Sequence, residues 1–438
     1  MFNIFAKIYI SVFLLLMTSY ASSGNNKRII LDSRSFPNNL KEDGFWAAIH
    51  AGEDGRVYIG LNTEGGGSAQ FYIYDPQDNK IIHRADMSDF LGEKGKGIRT
   101  HAKIHTKFCE DQEGRIYFAT GNMGAGPNEV DPRCWKGGHW CRYNPKSDQL
   151  EDLGLVLPAA GIYGLTIDPL RMRLYGIASN GHFVIFDINK KETIDLGRMN
   201  YHARSAARTI VIDDVGNVYG SYLPDRMFKY DIQKEVLLDL HIQIPSSRDI
   251  FPRTYSIYKS YMRAGIWDSV NQRLYGVEGG SSILFEYDPH SGKEGKMKEL
   301  TQLIPENESD VLRRAHYATL SFTLGKNRTI YYLPIGPLGS NLENDGIKFD
   351  GWAGQAYLLT YNLGTHQKEN LGAVVTEDGM RIIDKLNGAP SGGATTAPDG
   401  KVYFVAFVEE KIPDKVGYIF GNIPTRLRLL IYHPKAID

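Results

Sequence analysis

Cysteine is scarce in this chain, with three in 438 residues, and none directly follows the apolar run near the N terminus, so a lipid anchor at a lipobox is not indicated. Beyond that run no stretch is long and apolar enough to cross a bilayer. An excess of one charge is missing too. The 50 Lys and Arg stand against 51 Asp and Glu, and without a long basic stripe nucleic acid is a poor fit as partner. There is no His-Glu-x-x-His zinc pattern, no Gly-x-Ser-x-Gly elbow and no phosphate loop, which removes three common hydrolytic and nucleotide chemistries.

What is present begins with Met1 to Gly24. One early Lys7, an apolar run from Ile8 to Met17 and the small-residue stretch Ser19-Tyr20-Ala21 read as a secretory signal cleaved near Ala21 to Ser23. The expected organisation is a signal peptide at 1–23 and one domain over 24–438, destined for a periplasm or secreted. Cys134 and Cys141 bracket the loop Trp135-Lys136-Gly137-Gly138-His139-Trp140, and in an oxidising compartment they are expected to pair as a disulfide. A zinc site using both thiolates with His139 is the alternative, short of an obvious fourth ligand. Cys109 sits inside an apolar strand and reads as a buried free thiol.

A short apolar strand built on tyrosine recurs seven times, around Tyr58, Tyr117, Tyr175, Tyr219, Tyr275, Tyr331 and Tyr403. Each is followed by an aromatic strand ending in Asp-Pro or its equivalent, as in Phe71 to Pro76, Trp140 to Pro145 and Leu284 to Pro289. Gly, Asp and Asn punctuate the turns. Seven copies of a four-strand unit predict an all-β, seven-bladed β-propeller. The last unit lacks its fourth strand, and Arg28 to Asp32 at the mature N terminus is available to complete it and close the ring.

Strand direction then sorts the loops. Connections from the fourth strand to the next first strand share a face with those from the second strand to the third, and this face carries almost all the extra length, including Ser88 to Ile104, Gly121 to His139 and Pro334 to Gln355. Long connections in a compact domain are usually functional. First-strand residues expected at the channel mouth on this face are Trp46, His105, Tyr163, Arg208, Arg263 and His316, joined by Asn122, Asn180 and Tyr222. Lys94, Lys96, Arg99, His101, Lys103 and Lys107 crowd the connection into blade two, and Arg204, Arg313 and Arg314 stand at other blade starts. Arginine suits carboxylate or sulfate, so an anionic ligand is implied. Trp46, Trp135, Trp140 and Trp352 map to the same face, whereas Trp267 reads as core. Flat aromatic rings suit sugars as well as protein surfaces. Acidic polysaccharides satisfy both clues.

Uronate polymers are cleaved by β-elimination, which needs a base for the C5 proton, a cation for the carboxylate and an acid for the departing O4. His105, Tyr163 and Arg208 or Arg263 can fill these roles. Lys103-Ile104-His105-Thr106-Lys107, Gly114 to Gly121 and Gly137 to Pro145 resemble secreted seven-bladed propeller polysaccharide lyases, of which ulvan lyases are the best known and rhamnose–glucuronate lyases are relatives. Similar phrasing runs through Gly161-Ile162-Tyr163 and Arg173 to Gly176 into Tyr219-Gly220-Ser221, so blades two to four carry the likeness. The resemblance implies that His105 and Tyr163 transfer protons and that Tyr222 supports them. Where that family has a histidine closing the second blade's second strand, this chain has Asn122, with His139 displaced into the loop. No arginine stands near Ser179 and Asn180, and Arg204 or Arg208 would have to substitute.

The expected partner is thus an anionic polysaccharide or oligosaccharide, bound by a monomer with no required cofactor; a structural zinc or calcium stays open. A propeller glycoside hydrolase would want a carboxylate pair at the mouth, which the first-strand starts do not offer. A non-catalytic propeller that binds carbohydrate or protein is the reading from another class.

Overall fold

Every tyrosine phrase becomes the second strand of an antiparallel blade, and every aromatic phrase the third. The computed structural model describes residues 28–37, 44–63, 67–94, 101–122, 135–199, 209–222, 226–245, 261–279, 281–305, 318–334, 356–382, 392–410 and 425–435. Calls on Cys134, Arg204, Arg208, Arg313, Arg314, His316 and Trp352, and the signal peptide, lie outside them.

Blade one comprises Ile49–Ala51, Val57–Leu61, Gln70–Asp75 and Lys80–Asp86; blade two, Cys109–Glu110, Ile116–Ala119, His139–Asn144 and Gln149–Leu155. Blade three follows with Ile162–Asp168, Arg173–Ala178, His182–Asp187 and Glu192–Arg198, and blade four with Ile210–Ile212, Val218–Tyr222, Arg226–Asp231 and Val236–Gln243. Met262–Asp268, Arg273–Glu278, Ile283–Asp288 and Lys296–Gln302 form blade five, and Phe322–Leu324, Thr329–Tyr332, Tyr357–Asn362 and Lys368–Thr376 form blade six. Blade seven has Gly393–Thr396, Val402–Glu409 and Thr425–Tyr432. First strands of blades seven and one touch, as do those of blades six and seven, so the ring is a closed seven-bladed β-propeller. Among the described residues no helix is long and apolar enough to cross a membrane.

The N-terminal strand, Arg28–Ser35, divides its pairing. Asp32 to Ser35 run antiparallel to Ile431 to Arg428 and supply the missing fourth strand of blade seven. Arg28 to Leu31 run parallel to Ala373 to Thr376 of blade six. The closure expected from Arg28 to Asp32 therefore lies slightly later in the chain, and the earlier residues join two blades into one eight-stranded sheet. Leu31 pins this seam, fully buried among Leu358, Val374, Val408 and Leu430.

Side chains alternate across each strand, so neighbouring residues enter different inter-blade cores. In blade two Trp140 faces Leu174 and Phe186 of blade three, whereas Cys141 enters the core that holds Phe71 of blade one. This corrects two expectations. Cys141 is a free, fully buried thiol and not half of a disulfide with Cys134, because its strand position turns the sulfur into the core between blades one and two. Trp140 is core, stacked on Phe186 at 5.2 Å with its indole N–H donated to Thr193, and so is no part of a binding face. Cys109 is the buried free thiol expected of it, with burial raising its pKa to about 12.

The repeated tyrosine has a physical role. Its ring fills an inter-blade core, and in blades one, two and four its hydroxyl donates to an aspartate in the turn before its strand: Tyr58 to Asp54 at 2.6 Å, Tyr117 to Asp111 at 3.0 Å and Tyr219 to Asp213 at 3.1 Å; in blade five Tyr275 donates instead to Glu286 at 2.9 Å. The glycine that often follows is a space requirement, since a Cβ at Gly220 would stand 2.6 Å from the Phe228 ring and one at Gly276 2.4 Å from Phe285. At Asp111, burial opposes the charge, but hydrogen bonds from the Arg115 amide and guanidinium, Tyr117 and the Glu113 amide outweigh it and hold the carboxyl below its ordinary 3.8. A depressed carboxyl stabilises the fold above its unfolded pKa, and that contribution is lost as pH falls through the folded value. Urea midpoints measured from pH 6 downward, to roughly pH 2, are therefore expected to drop below about pH 4. Asp111→Asn should flatten that limb, and an unchanged acid limb in the variant would remove Asp111 from the account.

Candidate functional site

Tight turns join first to second and third to fourth strands, while the strand ends that lead into the long connections lie on the opposite face. The centre of that face is occupied by Trp46, from the segment leading into blade one. Its indole packs into the cluster containing Ala264, Ala318 and Leu320 of blades five and six, so it lies across the channel mouth and is 8% exposed. His105 stacks on it with ring centroids 5.0 Å apart and planes 25° from parallel. Lys103 Nζ stands 5.0 Å and Arg263 Cζ 5.5 Å from the same ring, both within cation–π range. Tyr163 lies against His105 at 4.7 Å.

The structure thus brings together four residues predicted from sequence, Trp46, His105, Tyr163 and Arg263, and adds Lys103, which the sequence showed only as one of a basic run. His105 Nδ1 lies 3.1 Å from the Tyr163 carbonyl oxygen. A carbonyl can only accept, so Nδ1 carries the proton and Nε2 the lone pair of the neutral ring. That is the tautomer a general base needs.

Local backbone geometry aims two of these groups. The pairing of first with second strands shifts register at Tyr163 in blade three and at Arg263 in blade five, so each is the extra residue of a bulge. Bulges re-aim side chains and recur beside active sites. Third-to-fourth strand bulges occur in blades one to six and are part of the repeat; the first-strand bulges occur, among the described residues, only at these two positions. Arg263 is fully buried, its Nε donating to the Ala318 carbonyl at 3.1 Å while its own carbonyl accepts from Thr209. Blades four and six thereby hold it from both sides.

Other expected site residues stand elsewhere. Tyr222 ends its strand turned outward along the blade, hydrogen-bonded to Asp239 of the fourth strand, with burial first and that bond second raising its pKa to about 12. It packs against the core between blades three and four with its hydroxyl beside Asp239, and not in the cluster around Trp46. Asn122 is 5% exposed just beyond the bridge of Gly121 to Lys103, and its Nδ2 is buried without a hydrogen-bond partner. Asn180 caps its turn by accepting from the His182 amide.

His139 is likewise off the mouth. Its Nδ1 pairs with Asp152 at 2.8 Å, and its ring stands perpendicular to that of His101, centroids 5.4 Å apart. Glu93 Oε2 lies 2.9 Å from His101 Nε2, and Trp135 packs against His101 with centroids 6.1 Å apart. Burial dominates the pKa of His101 and lowers it to about 4, with Glu93 pulling upward and His139 downward. Asp152 is held low despite burial, chiefly by its bond from His139. Glu93 went unseen in the sequence, since nothing in local spacing links it to a strand in the middle of the next blade.

Trp46 supports a test of its own. Trp46→Ala removes the indole that joins blades one, two, five and six across the mouth, and is expected to cost about 3–5 kcal/mol, read from urea unfolding. A loss below about 1 kcal/mol would mean that the indole is not packed there.

No protein-family model matches the chain, and no curated protein matches it in sequence. Solved structures resemble it in fold. A chain of the mitotic checkpoint complex aligns with TM-score 0.50 and 10% identity over 91% of this chain and 93% of that one. U3-55K aligns with TM-score 0.51 and 10% identity over 91% and 98%, and the WD40 repeats of RRP9 with 0.50 and 9% over 91% and 99%. Likeness at this level of identity extends to the arrangement of blades and not to ligand or chemistry, so what the comparisons establish is a β-propeller.

Proposed function

We propose that the chain is an exported polysaccharide lyase acting on a uronate-containing polymer of the ulvan type. The observation that carries this reading is the His105–Tyr163 pair, with the histidine in its base tautomer and two cations, Lys103 and Arg263, around the neighbouring Trp46. In the reaction His105 Nε2 takes the C5 proton, the released electron pair forms the C4–C5 double bond, the C4–O4 bond breaks, and O4 takes a proton from the Tyr163 hydroxyl. The cations offset the uronate charge, which makes the C5 proton acidic. His105 and Arg263 are 1% and 0% exposed, so the Trp46 indole must swing aside for a sugar to reach them. Export rests on the apolar segment from Ile8 to Met17.

That same burial favours a second reading, a propeller that binds a partner through its long-looped face and does no chemistry. The two separate in one experiment. Incubation with ulvan, glycosaminoglycans, alginate, pectin and gum arabic is followed by the ultraviolet absorbance of an unsaturated uronate. Under the lyase reading one polymer gives a rise that falls about 10²–10⁴-fold in Tyr163→Phe. Retained binding with no rise on any uronate polymer would leave the binding propeller.

A further inference from the structure

Blades two, three and four each begin the third strand with a side chain paired to an aspartate at the fourth-strand bulge. The pairs are His139 with Asp152 at 2.8 Å, His182 with Asp195 at 2.8 Å and Arg226 with Asp239 at 2.7 Å. This pair belongs to the repeat. Blade two adds something to it: the connection from blade one brings His101 and Glu93 onto the other side of the His139 ring.

The imidazole of His101 is fully buried. Its Nδ1 meets Thr120 Oγ1 at 2.9 Å, and the same oxygen accepts the His139 amide at 2.9 Å, so one threonine orients both rings. Its Nε2 is buried with no hydrogen-bond partner, although Glu93 Oε2 stands 2.9 Å away. A buried imidazole nitrogen left in this state costs free energy unless something else takes its lone pair. With His139 Nδ1 engaged by Asp152, its Nε2 is the nitrogen left for the cluster. One donor atom from each of Glu93, His101 and His139 lies within 4.8 Å of the others.

The geometry points to a divalent cation of the zinc class held by Glu93, His101 and His139, clamping the connection between blades one and two onto the third strand of blade two. Two imidazoles and one carboxylate suit zinc and leave a fourth position for water. Calcium and magnesium prefer oxygen donors throughout. Both rings have their remote nitrogen secured, by Thr120 and Asp152, the arrangement that fixes the tautomer of metal-bound histidines. This site differs from the thiolate zinc site considered from the sequence, since the Cys141 sulfur faces the core between blades one and two.

The test uses the full-length exported chain, stripped with a chelator, dialysed and titrated with zinc chloride against a chromophoric chelator. Uptake of about one equivalent is expected, with affinity lowered about 100-fold or more in Glu93→Gln and His101→Ala, since losing the partner behind a ligand already costs roughly 10–100-fold. Asp152→Asn should fall in that lower range. His182→Ala, which removes the equivalent histidine of blade three, should leave uptake unchanged. Cobalt(II) should give the visible bands of a four-coordinate nitrogen and oxygen site in the parent and not in Glu93→Gln. Should His101→Ala fail to fold, Glu93→Gln decides, being nearly isosteric on a partly exposed connection. The proposal is overturned by no stoichiometric uptake, by uptake undiminished in Glu93→Gln, or by equal loss in His182→Ala.

Discussion

A chain shortened to begin at Phe36 is expected not to form the closed ring. The strand it loses, Arg28–Ser35, pairs with the last strand of blade six through one half and with Thr425–Tyr432 of blade seven through the other. Its removal uncovers two strand edges at once, and uncovered edges pair with other chains. It also empties the fully buried place of Leu31 between Leu358, Val374 and Leu430. Size-exclusion chromatography should show aggregated or expanded protein, and circular dichroism should lose the cooperative melting transition of the parent. The milder Leu31→Ala leaves every backbone bond and tests the packing alone, with an expected loss of about 2–5 kcal/mol in urea unfolding. A truncated chain that melts cooperatively at the parent temperature would show that the ring closes without this strand.

Under the proposed lyase reading, replacement of His105 by alanine is expected to reduce elimination on the responsive uronate polymer by about 10²–10⁴-fold, the usual contribution of a general base. The loss should appear in kcat more than in KM, because the imidazole acts on a proton that moves only in the transition state. Since His105 also stacks on Trp46, the variant must be compared by circular dichroism and urea unfolding with the parent. His105→Gln, which keeps a flat polar side chain under the indole, should be folded and still inactive. Activity within tenfold of the parent in either folded variant would exclude His105 as the base.

The blades were legible because their signals are local. Alternating apolar residues, a tyrosine at a fixed strand position and Asp or Gly in the turns are set within about ten residues of chain, and each repeat repeats them. Strand direction then gave the face that carries the long connections, since an antiparallel blade returns its chain to the same side every second strand. His105, Tyr163, Arg263 and Trp46 could be placed near one another on that basis. Tyr222, His139 and Trp140 could not, because the side of a blade that a side chain enters depends on register, and register on bulges.

By itself, then, the sequence determined an all-β ring of seven repeats, the unfilled place in its last blade and the face that carries the long connections, all consequences of short-range patterning. Only the tertiary structure decided that Trp46 spans the mouth, that bulges turn Tyr163 and Arg263 into it, that Cys141 keeps a free thiol, and that Glu93 and His101 meet His139 beside blade two. Those contacts join residues from separate blades and connections, and inter-blade packing, not chain neighbourhood, sets the distances between them.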